Sequence, residues 1–124
     1  MPAYQFGDIV EVELDDPQGG NRKLRPAVIL TPTDQISEET PVVVAAVSTQ
    51  GPLRLLAAYF RLPHQNGFPH RVTGATKPCV VMCDWLGNVS LGEIRRKRGR
   101  VPDRILYDIA TYLNDLQFRD ETDS

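Results

Sequence analysis

An arginine and a proline stand directly before a continuous apolar segment in the stretch KLRPAVIL, residues 23 to 30. The guanidinium of Arg25 keeps its charge at any working pH, and its planar fork matches two oxygen atoms of one anion. A permanent cation at the entrance to a buried strand indicates an anion nearby, and we interpret that anion as a nucleic-acid phosphate. The residues alone give equal support to phosphate binding by Arg25 and to an ion pair between Arg25 and Asp15 or Asp16 in the adjoining loop.

A second set of cations is dense enough to contact a nucleic-acid backbone, because five of the six residues from 95 to 100 are Arg or Lys. Acidic residues instead crowd residues 8 to 16 and the end of the chain. This segregation permits a basic face on a chain whose formal net charge is −2. Such contacts would raise affinity without selecting a sequence, and a solvated edge is the alternative. The predicted contacts are those of Arg95, Arg96, Lys97 and Arg98.

The strands that position these residues are predicted by the pattern of apolar side chains. In DIVEVEL, residues 8 to 14, apolar and acidic side chains alternate as in a strand with one face in water. Residues 26 to 30 and 42 to 47 are apolar without alternation, as in strands that are covered on both faces. The second of these runs ends in the hydroxyls of Ser48 and Thr49, which by themselves are more typical of a turn than of a functional site.

Two further strands are predicted downstream, in residues 53 to 62 and 80 to 85. The first has the Leu and Ala content of a helix, but the prolines on both sides keep it short. The second, VVMCDW, carries Asp84 beside Trp85. An aspartate in this place can bond the backbone amides of a turn. Trp85 and Phe68 can stack on unpaired bases, although core packing is the more common role of a tryptophan.

The end of the chain predicts one amphipathic helix that closes the domain. Pro102 and Asp103 suit a first helical turn, and apolar residues follow at helical spacing up to Leu116. Short strands, long polar connections and a single late helix predict a mainly β fold, a small, partly closed β-barrel with the C-terminal helix packed on it. We assign residues 1 to 118 to a single domain and expect the charged residues 119 to 124 to fray.

Composition limits the classes of protein that are open to this chain. Its 124 residues, 41% of them hydrophobic, suffice for one domain with a core. No apolar run is long enough to span a membrane and the first residues lack the pattern of a secretory signal, so we expect a cytoplasmic protein without membrane contact. Cys79 and Cys83 have no histidine at ligand spacing, which favours buried reduced thiols. We therefore predict no metal site and no cofactor.

The order of five segments resembles that of the MazF/PemK family of type II toxin–antitoxin ribonuclease toxins. The segments are GDIVEVEL, LRPAVIL, PVVVAAVSTQ, TGATKPCVVMCDW and RRKRGRVPDRILYDI, and together they span residues 7 to about 116. The resemblance implies an SH3-like barrel and a homodimer. It also implies a metal-independent endoribonuclease that cleaves single-stranded RNA and is neutralised by an antitoxin protein.

Position by position, the resemblance implies catalytic roles for Arg25, Ser48 and Asp84. They match the arginine of the family's Arg-Pro step, the hydroxyl that closes the third strand, and an aspartate implicated in catalysis in PemK-type members. The chain departs from the family where Met82 stands in place of a catalytic arginine and Cys79 in place of a serine. The acidic residue that often precedes the Arg-Pro step is also missing from GGNRK, residues 19 to 23.

Metal-free cleavage through the 2′-hydroxyl requires a base, donors on the phosphate oxygens and an acid at the leaving oxygen. Arg25 suits the phosphate, and Ser48 or Thr49 can add hydrogen bonds to it. Asp84 can be the base if burial beside Cys83 and Trp85 raises its pKa.

The acid is left open among Arg25, Lys23, His64 and His70, of which a histidine is chemically the best suited. Lys23 and Thr49 are also predicted to bind RNA.

Two other functions fit the same sequence. Met82 favours an attenuated enzyme, or a non-catalytic module that binds nucleic acid or a partner protein through its basic surface. The other possibility is a toxin that binds a topoisomerase, as the related CcdB toxins do, and the Arg25-Pro26 step counts against it.

Overall fold

The computed structural model describes residues 3–49 and 56–123, and the side chains in this part as far as residue 116. The regular elements are β1 (Asp8–Leu14), β2 (Lys23–Ile29), β3 (Val42–Ser48), β4 (Tyr59–Leu62), β5 (Cys79–Val89), β6 (Arg96–Arg100) and α1 (Asp103–Asp123). Short 3₁₀ turns lie at Thr33–Gln35 and Leu91–Glu93. Among the described helices, none is both long and apolar enough to cross a membrane.

The strands form one curled antiparallel sheet in the order β4-β5-β3-β2-β1-β6. Its central strands are buried on both faces, as their continuous apolar runs predict. In β2, Val28 belongs to the core cluster that the helix residue Ile109 joins, whereas its neighbours Ala27 and Ile29 belong to the cluster on the opposite face. The mainly β fold with one C-terminal helix is therefore confirmed.

Three elements differ from the sequence-based expectation. The strand predicted in residues 53 to 62 is observed as Tyr59–Leu62, and residues 53 to 55 lie outside the described part of the chain. The helix backbone continues to Asp123. Fraying of residues 119 to 124 concerns motion in solution and stays a prediction.

The third difference is β6, which the sequence does not predict. Its sequence RKRGR has no apolar alternation, and it becomes a strand because it pairs with β1. Gly99 lets the backbone around Thr73 pack closely against β6, because a Cβ at this position would lie 2.6 Å from the carbonyl oxygen of Thr73. Arg100 N–H donates to the carbonyl of Val72 at 2.8 Å. The loop between β4 and β5 is thus fastened to the edge strand.

Candidate active site

Pro26 opens the sheet between β2 and β3. Leu30 N–H donates to the carbonyl of Val43 at 2.8 Å, so every second residue of β2 directs its amide toward β3. Pro26 falls in this series but has no N–H, and the ladder between the two strands begins only at Ala27. The two strands therefore separate beyond Ala27, at the position where Val47 would be paired.

The opening leaves Arg25 and Ser48 beside each other. Ala27 pairs with Ala46, and Arg25 and Ser48 each lie two residues further along their strands, on the same face of the sheet. Both line a groove of about 390 Å³, which we call the Arg25 groove. Its other lining residues include Lys23, Thr49, Met82 and Trp85. The structure thus brings together the cations and hydroxyls that the sequence predicts for phosphate binding.

The guanidinium of Arg25 is held on three sides. Its Nε donates to the carbonyl of Leu14 at 3.2 Å, and its Nη2 donates to the carbonyl of Asn21 at 3.0 Å. Its Cζ lies 4.9 Å from the centroid of the Trp85 ring, in cation–π geometry. Among the described residues, these bonds use two of the five guanidinium N–H groups, and the rest remain for a ligand.

The predicted alternative, an ion pair between Arg25 and Asp15 or Asp16, is not formed. Within the described ranges, no carboxylate lies within 4.0 Å of the Arg25 guanidinium. Asp15 pairs instead with Arg22 at 3.4 Å. The Asp16 carboxylate accepts the backbone N–H groups of Gln18 and Gly20. Arg25 therefore keeps an uncompensated positive charge in the groove.

The loop between β1 and β2 shapes the wall behind Arg25. Asn21 adopts a left-handed conformation with φ of 54°, which turns the chain back into β2 and places its carbonyl toward Arg25. The indole Nε1–H of Trp85 donates to the carbonyl of Asp15 at 2.9 Å. Trp85 also packs against the core. It serves as a platform for Arg25, and stacking of Trp85 or of the exposed Phe68 on RNA bases stays a prediction.

Asp84 lies outside the Arg25 groove. It lines an adjoining pocket of about 290 Å³, the Asp84 pocket, which shares Pro17 and Trp85 with the groove. The register between β3 and β5 shifts at this place, because Ala46 pairs with Met82 but Ala45 with Leu86. The residues between them, Asp84 included, bulge out of the ladder.

The environment of Asp84 differs from the expected one. The side chain is exposed, so the burial beside Cys83 and Trp85 that the sequence analysis required is absent. Its Oδ2 accepts a hydrogen bond from Tyr59 Oη at 2.9 Å. That hydrogen bond to the carboxylate raises the pKa of the Tyr59 phenol. A catalytic role for Asp84 stays a prediction.

The two histidines have different surroundings. His64 lines a third cavity of about 240 Å³, the His64 pocket, together with Ser48, Thr49 and Arg61. His70 Nδ1 instead accepts the backbone N–H groups of two residues of its own loop, Val72 and Thr73, at 3.1 and 3.3 Å. His64 therefore lies beside the Arg25 groove, in a pocket that shares Ser48 and Thr49 with it, and His70 has a structural role. Sequence reasoning missed Arg61, because a single arginine in a short strand carries no signal.

The cations of β6 are paired with the acids of β1. Arg96 Nη2 lies 2.8 Å from Glu11, and Arg98 Nε lies 3.6 Å from the same carboxylate. Lys97 lies 3.2 Å from Asp8, and Arg95 lies 3.9 Å from a carboxylate oxygen of Glu13. Arg98 also borders a small cavity of about 110 Å³ that Thr49 lines. Phosphate contacts by the four predicted residues stay a prediction, and each must compete with an existing ion pair.

Cys79 and Cys83 are free and buried. Burial raises the pKa of both thiols, that of Cys83 to about 11. In the described part of the chain, no three His, Cys, Asp or Glu side chains group in a way that could hold a metal ion.

The described chain is a curled β-sheet with one C-terminal helix and an open groove that holds the guanidinium of Arg25, and comparison with known proteins identifies its family. Residues 5–116 match the family model of the PemK-like, MazF-like toxin of type II toxin–antitoxin systems. The chain therefore belongs to this family, and the resemblance noted in its sequence is confirmed. No curated protein matches it closely enough to add to this assignment.

Solved structures of MazF proteins share the fold. MazF from Deinococcus radiodurans is 20% identical, with a TM-score of 0.66 over 94% of this chain and 98% of that chain. The Mycobacterium tuberculosis toxin MazF-mt6 is 23% identical, with a TM-score of 0.62 over 87% and 93%. A mycobacterial endoribonuclease solved with its cognate antitoxin is 18% identical, with a TM-score of 0.63 over 90% and 91%.

Proposed function

We propose that this toxin is an endoribonuclease that cleaves single-stranded RNA without a metal ion, by attack of a 2′-hydroxyl on the adjacent phosphate. The observation that carries the proposal is the fixed guanidinium of Arg25, which pairs with no carboxylate of the described residues and lies beside Ser48 and Thr49 in an open groove. Preorganised donors of this kind stabilise the charge that develops on phosphate oxygens in the transition state. Membership of a toxin family and the endoribonuclease named among the similar structures support the same function.

In this mechanism the N–H groups of Arg25 that are not bonded to backbone carbonyls bind the non-bridging oxygens of the scissile phosphate. The hydroxyls of Ser48 and Thr49 add hydrogen bonds to the same oxygens. Lys23, at the entrance of the groove, contributes a point charge to a neighbouring phosphate. Asp84 is the proposed base, and its carboxylate must meet the ribose where the Asp84 pocket adjoins the Arg25 groove across Trp85.

We also propose the partners and the setting that accompany such an enzyme. The toxin acts in the cytoplasm as a homodimer, and an antitoxin protein neutralises it by placing an acidic or apolar segment in the Arg25 groove. The positive charge of Arg25 and Lys23 supports an acidic segment, and the exposed Leu24 beside them supports an apolar one. Either segment would exclude RNA from the groove.

The test is cleavage of a long RNA by the purified protein in the presence of a chelator. We expect defined fragments ending in a 2′,3′-cyclic phosphate, and loss of cleavage with Arg25→Ala. Arg104→Ala is the matched control, because Arg104 is an exposed residue of α1. Intact RNA with the wild-type protein, or equal cleavage by both variants, contradicts the proposal.

A second candidate function is binding of RNA without cleavage. Met82 favours it, because this side chain lines the Arg25 groove at the position where a second arginine is expected. A wild-type protein that binds RNA in the Arg25 groove but leaves it intact would support this function over the first.

A further inference from the structure

The backbone on both sides of His64 is held by hydrogen bonds. The carbonyl of Pro63 accepts a hydrogen bond from Thr73 Oγ1 at 2.7 Å, and Gln65 N–H donates to the carbonyl of Ala75 at 3.1 Å. Thr73 is only 2% exposed, so the segment that holds both neighbours of His64 belongs to the core. The imidazole is therefore presented to its pocket from a fixed backbone.

His64 and Asp84 lie at opposite ends of β4. Tyr59, the first residue of this strand, bonds the Asp84 carboxylate, and His64 follows two residues after Leu62, the last one. The Arg25 groove shares Trp85 with the Asp84 pocket and Ser48 with the His64 pocket, so it adjoins both.

The two pockets adjoin the groove through different residues, as suits the proposed cleavage, in which the attacking and the leaving oxygen stand on opposite sides of phosphorus. A base and an acid on the two sides complete the reaction. We propose that His64 is the general acid that protonates the leaving 5′-oxygen. The inference rests on the proposed ribonuclease function and assigns the one role that the sequence leaves open.

The step conserves atoms and charge. The 2′-oxygen forms a bond to phosphorus while its proton passes to the base, the role proposed for Asp84. The bond between phosphorus and the 5′-oxygen breaks, its electron pair stays on that oxygen, and the imidazolium of His64 supplies the proton. The products are a 2′,3′-cyclic phosphate and a 5′-hydroxyl, and neutral His64 regains its proton from water.

The other candidates for the acid are less suited. Arg25 does not give up a proton in proteins, and His70 Nδ1 is occupied by two backbone amides. Lys23 is the cation proposed above for a neighbouring phosphate, which does not hold the leaving oxygen. The groups that face His64 are the cation of Arg61 from β4, the thiol of Cys79 from β5 and the hydroxyls at the end of β3. To act as the acid, His64 must carry its proton in the complex with RNA.

The test uses a short oligonucleotide that spans one linkage cut by the wild-type protein in a long RNA. His64→Gln should cleave it 10²- to 10⁴-fold more slowly than the wild type, the usual range for loss of an acid or base. A second oligonucleotide carries sulfur in place of the leaving 5′-oxygen at this linkage. Thiolate departs without protonation, so His64→Gln should cleave this substrate at nearly the wild-type rate.

His70→Asn is the matched control, because the asparagine oxygen can accept the amide hydrogen bonds of the loop. This variant should cleave both substrates at the wild-type rate. The rate of the wild type on the ordinary linkage should fall toward alkaline pH, and His64→Gln should lack this fall. Equal losses on both substrates, or no loss on either, would overturn the assignment of His64. Absence of cleavage by the wild type would instead overturn the proposed function itself.

Discussion

Arg25→Lys is the substitution that most directly tests the proposed site, because it keeps the charge and removes the planar fork. A single ammonium cannot bond the carbonyls of Leu14 and Asn21 and also bind two phosphate oxygens. It also loses the stacking of a flat cation on Trp85. We therefore expect the lysine variant to bind RNA but to cleave it poorly.

The expected magnitudes follow from these contacts. Loss of one preorganised donor to a developing anion slows kcat about 10²- to 10³-fold, which corresponds to roughly 3 to 4 kcal/mol of activation free energy. Two half-exposed hydrogen bonds and one cation–π contact together stabilise the fold by about 1 to 3 kcal/mol. The variant should therefore stay folded while the cleavage rate falls.

The assay is single-turnover cleavage of a labelled oligonucleotide at saturating protein, with thermal unfolding measured on the same preparations. Arg104→Lys serves as the control for a conservative change at an exposed arginine. If Arg25→Lys is folded and cleaves within tenfold of the wild-type rate, Arg25 does not act as a bidentate phosphate donor.

Three further predictions concern other residues. Met82→Arg adds a hydrogen-bond donor to the Arg25 groove and should raise the cleavage rate about tenfold. An unchanged rate would show that the side chain at this position does not reach the phosphate. Lys23→Ala should lower the slope of log affinity against log salt for single-stranded RNA by about 0.7. Arg104→Ala, at an exposed arginine of α1, should leave this slope unchanged, and equal effects would contradict the proposed path of the RNA. Burial raises the pKa of the Cys83 thiol from its ordinary value of 9.0 to about 11. The neutral thiol therefore stabilises the folded state below pH 9. This contribution is lost as the pH rises through about 11. The difference in unfolding free energy between wild type and Cys83→Ala, measured by urea denaturation, should therefore shrink from pH 8 to pH 11, and a constant difference would refute the burial argument.

The elements that sequence predicts well are those with a strong local pattern. The alternation in β1, the apolar runs of β2 and β3 and the helical spacing in α1 each reflect burial of one or two faces, which the chain encodes residue by residue. Arg25 is also visible in the sequence, since a fixed cation before a buried strand is unusual in itself.

Other features depend on which strands become neighbours. β6 has no apolar pattern and is a strand because the acids and backbone of β1 lie beside it, so the cations that the sequence offers to RNA are paired within the protein. Asp84 is exposed because the register of β5 shifts against β3, and a register shift leaves no mark in the local composition.

The sequence by itself therefore determined the type of fold and the residues that are proposed to bind phosphate, because patterns of burial and fixed charge are local properties. Only the tertiary structure decided which of these residues lie beside each other. The missing amide of Pro26 opens a groove because it faces β3. His64 rather than His70 borders the pocket that shares Ser48 and Thr49 with this groove, because buried Thr73 holds the loop in place. Such placements arise from contacts between distant residues, which no single segment of the chain contains.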